Sequence, residues 1–122
     1  SGGKKIYFGA DSGYSPTFKE VGERFGPFNL ALLECGAYNE RWANIHMMPE
    51  ETAQAALDVK ARVLMPVHWA KFSLALHPWK EPVERLTKKA DALGVQLLTP
   101  KIGAIVVDAN PAASTAWWEP LH

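Results

Sequence analysis

Three short apolar runs leave few folds open to this chain. They are Ile6-Tyr7-Phe8, Phe28 to Leu33 and Arg62-Val63-Leu64-Met65-Pro66-Val67, separated by segments with helical periodicity. Apolar runs with so little polar alternation suit strands covered on both faces, and strands spaced by helices point to an α/β layer on one sheet. The first run leads through Gly9-Ala10 into Asp11, and Gly9 and Gly13 on either side of that carboxylate let the chain turn or something approach. Ser15 suits a helix N-cap and Pro16 the first helical position. Asp11 is therefore expected in the loop at the carboxyl end of a strand, where open α/β sheets place their ligand chemistry. A turn residue bonding its own backbone explains the same stretch equally well.

Phe18, Val21, Gly22 and Phe25 recur at helical spacing, giving a helix of about ten residues that stops at Gly26-Pro27. Pro49-Glu50-Glu51 places proline and two acids in a first turn, and Ala53, Ala56, Leu57 and Lys60 continue one face, with small residues that imply close packing on a sheet. Pro82 opens a third helix with Val83, Leu86, Ala90 and Leu93 as its stripe, capped by Gly94. Val95 to Leu98 and Ile102 to Val107 are short β runs around Thr99-Pro100-Lys101, expected to form a hairpin or meander. The order is β-α-β-α-β-α-β-β. Two irregular segments interrupt it, Glu34 to Met48 with Gly36, Tyr38, Trp42 and His46, and residues 70 to 80 with Phe72, His77 and Trp79. Connections of that length are more often functional than idle.

At 122 residues the chain is one domain, read as a unit over residues 1–109 and a Trp-containing tail over 110–122. Thirteen basic residues balance thirteen acidic ones, so no overall field draws it to nucleic acid or anionic lipid. Cys35 is the single cysteine, which excludes an intramolecular disulfide and fits a buried small hydrophobe. No apolar run reaches the length of a membrane span, and Ser1-Gly2-Gly3-Lys4-Lys5 lacks the apolar core of a signal peptide. No targeting segment is read in the chain, and an amino-terminal portion is expected to be missing. Trp117-Trp118 reads as a hydrophobic cap on the fold, with a membrane anchor as the less favoured alternative.

Three polar groups fall at comparable places: Asp11 after the first run, His46 after the second, His68 at the tip of the third. If the strands are neighbours, these side chains converge at one sheet edge. Carboxylate oxygen and imidazole nitrogen are ligands that zinc and other borderline divalent metals accept, although a catalytic site needs at least three protein groups plus water. Taken alone, His68 also fits a hydrogen-bonded core histidine. His77, beside Pro78-Trp79, reads as structural, and His122 as a terminal residue without a role.

Five motifs carry a family resemblance. They are Gly9-Ala10-Asp11-Ser12-Gly13-Tyr14; Phe25-Gly26-Pro27-Phe28 leading to Ala31-Leu32; Gly36-Ala37-Tyr38 with Arg41-Trp42; His46 with Pro49-Glu50-Glu51-Thr52-Ala53; and Val67-His68-Trp69 with Phe72. In order and spacing, over about residues 4 to 90, they resemble the carboxyl-terminal half of metallo-β-lactamase-fold hydrolases. More narrowly, they are similar to the branch with N-acyl-phosphatidylethanolamine-hydrolysing phospholipase D and its bacterial, RomA-like relatives.

The resemblance implies half of an αββα sandwich, a mixed β-sheet with helices packed on it, and a dinuclear centre, usually zinc, with manganese or iron as alternatives. It implies Asp11 as the carboxylate bridging both metals, His68 as the last histidine ligand of the second, and His46 as a catalytic histidine assisting substrate or leaving group. It implies Tyr38 and Trp42 as substrate-binding residues bordering the cleft. A carboxylate between two cations offsets their repulsion, so that a shared water ionises near neutral pH and attacks phosphorus or a carbonyl.

This sequence departs from the family pattern in two ways. A His-x-His-x-Asp-His cluster and a further histidine belong to the amino-terminal half and do not occur here. The expected partner is therefore that missing half, with a homodimer as the substitute in its absence; the chain alone is expected to be inactive and to hold metal weakly or not at all. Ala10 stands where the family often has glycine, which limits backbone freedom slightly. The expected parent activity is hydrolysis of a phosphodiester, such as an N-acyl phospholipid, or a related ester; nucleic acid is not an expected partner, and membrane contact is assigned to the parent only. A cytoplasmic or a membrane-associated parent fits equally. A second reading, a non-catalytic α/β interaction module with Asp11 as a turn residue, His68 as a core residue and a contact surface formed by Trp117-Trp118 and the aromatic loop, differs in one observable, whether Asp11 and His68 approach closely enough to share a metal.

Overall fold

The computed structural model describes residues 3–36, 41, 46–70, 77–110 and 116–121. Its elements are β1 (Ile6–Phe8), α1 (Thr17–Phe25), β2 (Leu30–Glu34), α2 (Pro49–Asp58), β3 (Val63–Val67), α3 (Glu81–Leu93) and β4 (Gln96–Leu97). The four strands form one sheet in the order β1-β2-β3-β4, and every pairing is parallel. A parallel sheet brings all the strands' carboxyl ends to one edge, so the residues just beyond β1, β2 and β3 emerge side by side.

The register separates the two faces. Tyr7, Ala31, Leu33 and Leu64 share one face, because Tyr7 pairs with Ala31 and Ala31 with Leu64. That face builds the core with Phe18 of α1, Ala53, Ala55 and Ala56 of α2 and Leu86 of α3. Alanines at the contact let α2 lie close on the sheet, as the sequence implied. Leu33 is fully buried, and burial of such a side chain is worth about 1.5–3 kcal/mol. On the opposite face Ile6 and Phe8 are 63% and 65% exposed, and Leu30, Leu32, Met65 and Val67 are half-buried. The apolar runs thus suit a two-sided strand, while helices cover one side.

Helix termini show the expected chemistry with small shifts. The Ser15 hydroxyl oxygen accepts the Thr17 N–H at 3.3 Å. Glu51 accepts the Met48 N–H at 2.9 Å, closing the start of α2. Gly94 ends α3 in the left-handed region at φ 73°.

The expected terminal hairpin does not form, and the sheet is parallel where a mixed one was expected. Leu98 extends the pairing by donating its N–H to Leu64 O at 2.8 Å, and the chain then turns away, with Ala104 N–H bonded to Lys101 O at 2.9 Å and Gly103 at φ 90°. Ile102, Ile105 and Val107 are 81%, 87% and 66% exposed. Their β propensity needs an edge to pair with, and β4 has only two residues. Trp117 and Trp118 pack on Trp69, with ring centroids 5.6 and 5.7 Å away, and Trp118 is buried. Cys35 is free and buried, its sulfur 3.6 Å from Pro82 O, and burial pushes its thiol pKa up. Among the described residues no helix is long and apolar enough to cross a membrane.

Candidate metal centre

Each member of the site is placed by the end of a strand. Asp11 comes after β1 by way of Gly9, whose N–H bonds Leu32 O at 2.9 Å and holds the loop to the sheet, and Ala10, which sits in the left-handed region at φ 51°. Glycine takes that conformation without steric cost, so the methyl of Ala10 adds strain where the family pattern would have none. His68 comes directly after β3 at φ 66°. Strain of this kind concentrates at functional sites. Trp69 fixes the chain beyond it by donating its indole N–H to Pro66 O at 3.0 Å.

His46 lies on the segment stapled to the end of β2. Met47 N–H donates to Glu34 Oε1 in a very short contact, and Thr52 Oγ1 donates to the Glu34 carbonyl at 2.8 Å. The imidazole Nδ1 of His46 is 3.4 Å from Glu34 Oε2. Gly36 N–H points to the same oxygen at 3.5 Å. Glu34 is fully buried; burial pushes its carboxyl up, partly offset by the Met47 amide, His46 and the Gly36 amide. This buried carboxylate is absent from the site residues expected from sequence. An acid closing an apolar run, two residues beyond Leu32 on the same strand face, is the signal that could have found it.

One ligand atom each from Asp11, His46 and His68 lies within 4.8 Å of the others. The His46 and His68 ring centroids are 5.4 Å apart. The donor set fits a divalent cation on its chemistry, since carboxylate oxygen and imidazole nitrogen are ligands that borderline divalent metals accept. Asp11 and His68 are solvent-exposed and His46 is half-buried, so the cluster opens outward. Beside it, a cavity of about 370 Å³ is lined by His68, Met65, Trp69, Thr99, Ile102 and Trp117 among others. Tyr38 and Trp42, the expected cleft residues, and Phe72 and His122 lie outside the described residues. His77 is not in the cluster, and its Nδ1 lies 3.2 Å from the Pro78 carbonyl.

Residues 1–69 of the 122 match the family described as Beta-lactamase superfamily domain. The chain is 46% identical over 117 residues to the uncharacterized protein Rv0906 of Mycobacterium tuberculosis, covering 93% of this chain and 32% of that protein. It is 33% identical over 93 residues to N-acyl-phosphatidylethanolamine-hydrolyzing phospholipase D 1 of Caenorhabditis elegans, covering 73% of this chain and 26% of that one. The chain thus spans about a third or less of the length of these two relatives. Among solved structures it superposes on Igni18, a novel metallo hydrolase from Ignicoccus hospitalis, with a TM-score of 0.66 and 24% identity over 85% of this chain and 41% of that one. It also superposes on the metallo-beta-lactamase fold protein YhfI of Bacillus subtilis, with a TM-score of 0.61 and 22% identity over 84% of this chain and 39% of that one, and the family match covers more than half of the residues, so this chain belongs to the beta-lactamase superfamily domain family and forms part of a metallo-β-lactamase fold.

Proposed function

We propose that this chain is the carboxyl-terminal part of a metal-dependent hydrolase, with Asp11 and His68 as cation ligands and His46 as the catalytic histidine. The approach of Asp11, His46 and His68 to within 4.8 Å carries this reading, because it is what separates a metal centre from a set of turn and core residues. When bound, such cations supply Lewis acidity and bring the pKa of water toward neutrality. Zinc, two per full-length protein, suits the donors best, with manganese or iron as alternatives. His46 would take up the proton released by the attacking water at the ring nitrogen turned away from Glu34 and pass it to the departing oxygen. On the family resemblance, Tyr38 and Trp42 are proposed as substrate-binding residues.

The substrate class is drawn from the phospholipase relative and from the apolar cavity beside His68, which suits the fatty portion of a phosphodiester such as an N-acyl phospholipid, or of a related ester. The face bearing Ile6, Phe8, Leu30 and Leu32 is the surface for the rest of the domain, or for a second copy when that is absent. By itself the chain is proposed to be inactive and to hold metal weakly or not at all; contact with a membrane belongs to the longer protein.

The test is metal content by mass spectrometry on the 122-residue chain and on a longer protein carrying it, each with Asp11 intact and as Asp11→Ala. About two cations in the longer protein, lost with Asp11→Ala, and hydrolysis of a model phosphodiester by that protein alone support the proposal. Absence of cations from both, or equal hydrolysis by the short chain, overturns it.

A further inference from the structure

Glu34 has no role in the chemistry described so far, yet it is a fully buried carboxylate one contact away from the site. Its two oxygens are used differently. Oε1 accepts the Met47 N–H, while Oε2 faces His46 Nδ1 at 3.4 Å and the Gly36 N–H at 3.5 Å. A neutral imidazole carries one proton and one lone pair, and which nitrogen holds which is set by the partner at the other. An ionised carboxylate oxygen accepts and does not donate, so with Glu34 ionised, the form that the Met47 and Gly36 amides favour against burial, the group facing Oε2 is favoured as N–H.

We propose that Glu34 is a positioning residue that holds the His46 proton on Nδ1, leaving the lone pair on Nε2, the ring nitrogen away from Glu34. The arrangement answers a need of the site. A histidine that takes up a proton at Nε2 is useful only in this tautomer, and a carboxylate partner behind an imidazole fixes both tautomer and ring orientation. The local fold serves the same end. The Met47 and Thr52 bonds to Glu34 pin the segment carrying His46 to the last residue of β2, so ring and carboxylate are held by one short stretch.

The inference rests on the reading of His46 as a site residue, and its test uses no metal, so the two can fail separately. Chain labelled with ¹⁵N in histidine is examined by long-range proton–nitrogen NMR without cation, at about pH 8, where an ordinary imidazole is neutral. His46 is assigned by the signal lost in His46→Gln. The expected result is a predominant Nδ1–H form. Glu34→Gln keeps the size and, with its single amide oxygen on the Met47 N–H, turns its NH₂ toward Nδ1; the predominant form then inverts to Nε2–H. Slow exchange of the Met47 amide in both proteins reports that the segment is still seated. A predominant Nε2–H form in the unsubstituted chain overturns the proposal without any variant, and so does an unchanged tautomer in Glu34→Gln. A purely structural Glu34 would leave the tautomer where it was.

Discussion

The backbone of Gly36 lies against the carbonyl of His68, so closely that a β-carbon on Gly36 would fall 1.3 Å from the His68 oxygen and 2.5 Å from its carbonyl carbon. Both neighbours are backbone, and neither can swing aside. The chain leaving β2 and the chain leaving β3 are in contact just where the two histidine-bearing segments meet.

Gly36→Ala is therefore expected to displace the His68 backbone, not to be absorbed by a side-chain rotation. Overpacking of this kind costs about 1–3 kcal/mol. The larger effect falls on the site, because His68 cannot move without changing its distance to Asp11. Urea unfolding measures the first effect, and zinc titration of the longer protein the second, expected to weaken by at least about tenfold. Unchanged zinc affinity would mean that the His68 ring is placed independently of its backbone.

Ala10 at φ 51° gives a prediction of the opposite sign. The left-handed region costs a non-glycine residue about 1–2 kcal/mol, and glycine relieves that while loosening the unfolded chain. Ala10→Gly is expected to stabilise by about 0.5–1 kcal/mol, read as a higher urea midpoint at constant slope. Lys60, at φ 57° just past the end of α2, is the control: Lys60→Gly stabilises by a similar route, far from the site chemistry. A loss of stability in Ala10→Gly would show that the methyl makes a contact outweighing its strain.

Much of this is legible in the sequence because it depends on local rules. Apolar runs mark β1, β2 and β3, and caps and prolines mark the helices. A parallel sheet necessarily gathers the loops at its strands' carboxyl ends, which is why Asp11, His46 and His68 could be expected together. Glu34 is not legible in that way. Its burial depends on the later segment carrying Met47 folding back over it, a long-range fact that no window around residue 34 contains. The run Ile102 to Val107 misleads for the converse reason: its pattern is that of a strand, but a strand requires a partner, and none pairs with it among the described residues. The half-open sheet is legible only through the family resemblance, since Phe28 to Leu33 looks the same whether its second side meets helices or another sheet.

Tyr14 ties the loop after Asp11 to α2, its hydroxyl donating to Asp58 Oδ2 in a very short contact. That bond, with a smaller contribution from burial, pushes the phenol up to about 12 from 10.0. The folded pKa lies above the unfolded one, so the contribution to stability is complete below about pH 10 and is lost as pH rises toward 12. Ultraviolet titration should show Tyr14 ionising late, alongside Tyr7, whose phenol burial also raises; the Tyr14 step is absent in Tyr14→Phe and moved back toward pH 10 in Asp58→Asn, while that of Tyr7 stays. The tyrosine is 38% exposed, so solvent screening holds the cost of Tyr14→Phe at pH 7 below about 1 kcal/mol. Ionisation of Tyr14 at an ordinary pH would mean that the loop is not docked on α2 in solution.

The open face of the sheet makes the last prediction. Ile6 and Phe8 stand out from β1, an edge strand among the described residues, so an apolar surface and a backbone edge that no described strand pairs with are presented together. Such a surface is expected to pair with a second copy, and sedimentation should show an association that grows with concentration. Phe8→Glu puts a charge on a side chain that is 65% exposed, which leaves the fold within about 0.5 kcal/mol yet opposes burial of that face between copies. The variant should sediment as a monomer. In a longer protein that covers this face, the same substitution should instead cost several kcal/mol, because the carboxylate would be buried without a partner. A monodisperse monomer for the unsubstituted chain removes the dimer, and a Phe8→Glu change that is harmless in the longer protein removes the idea that the rest of the domain packs there. The pair of measurements thus separates a surface that is merely exposed from one shaped to be covered.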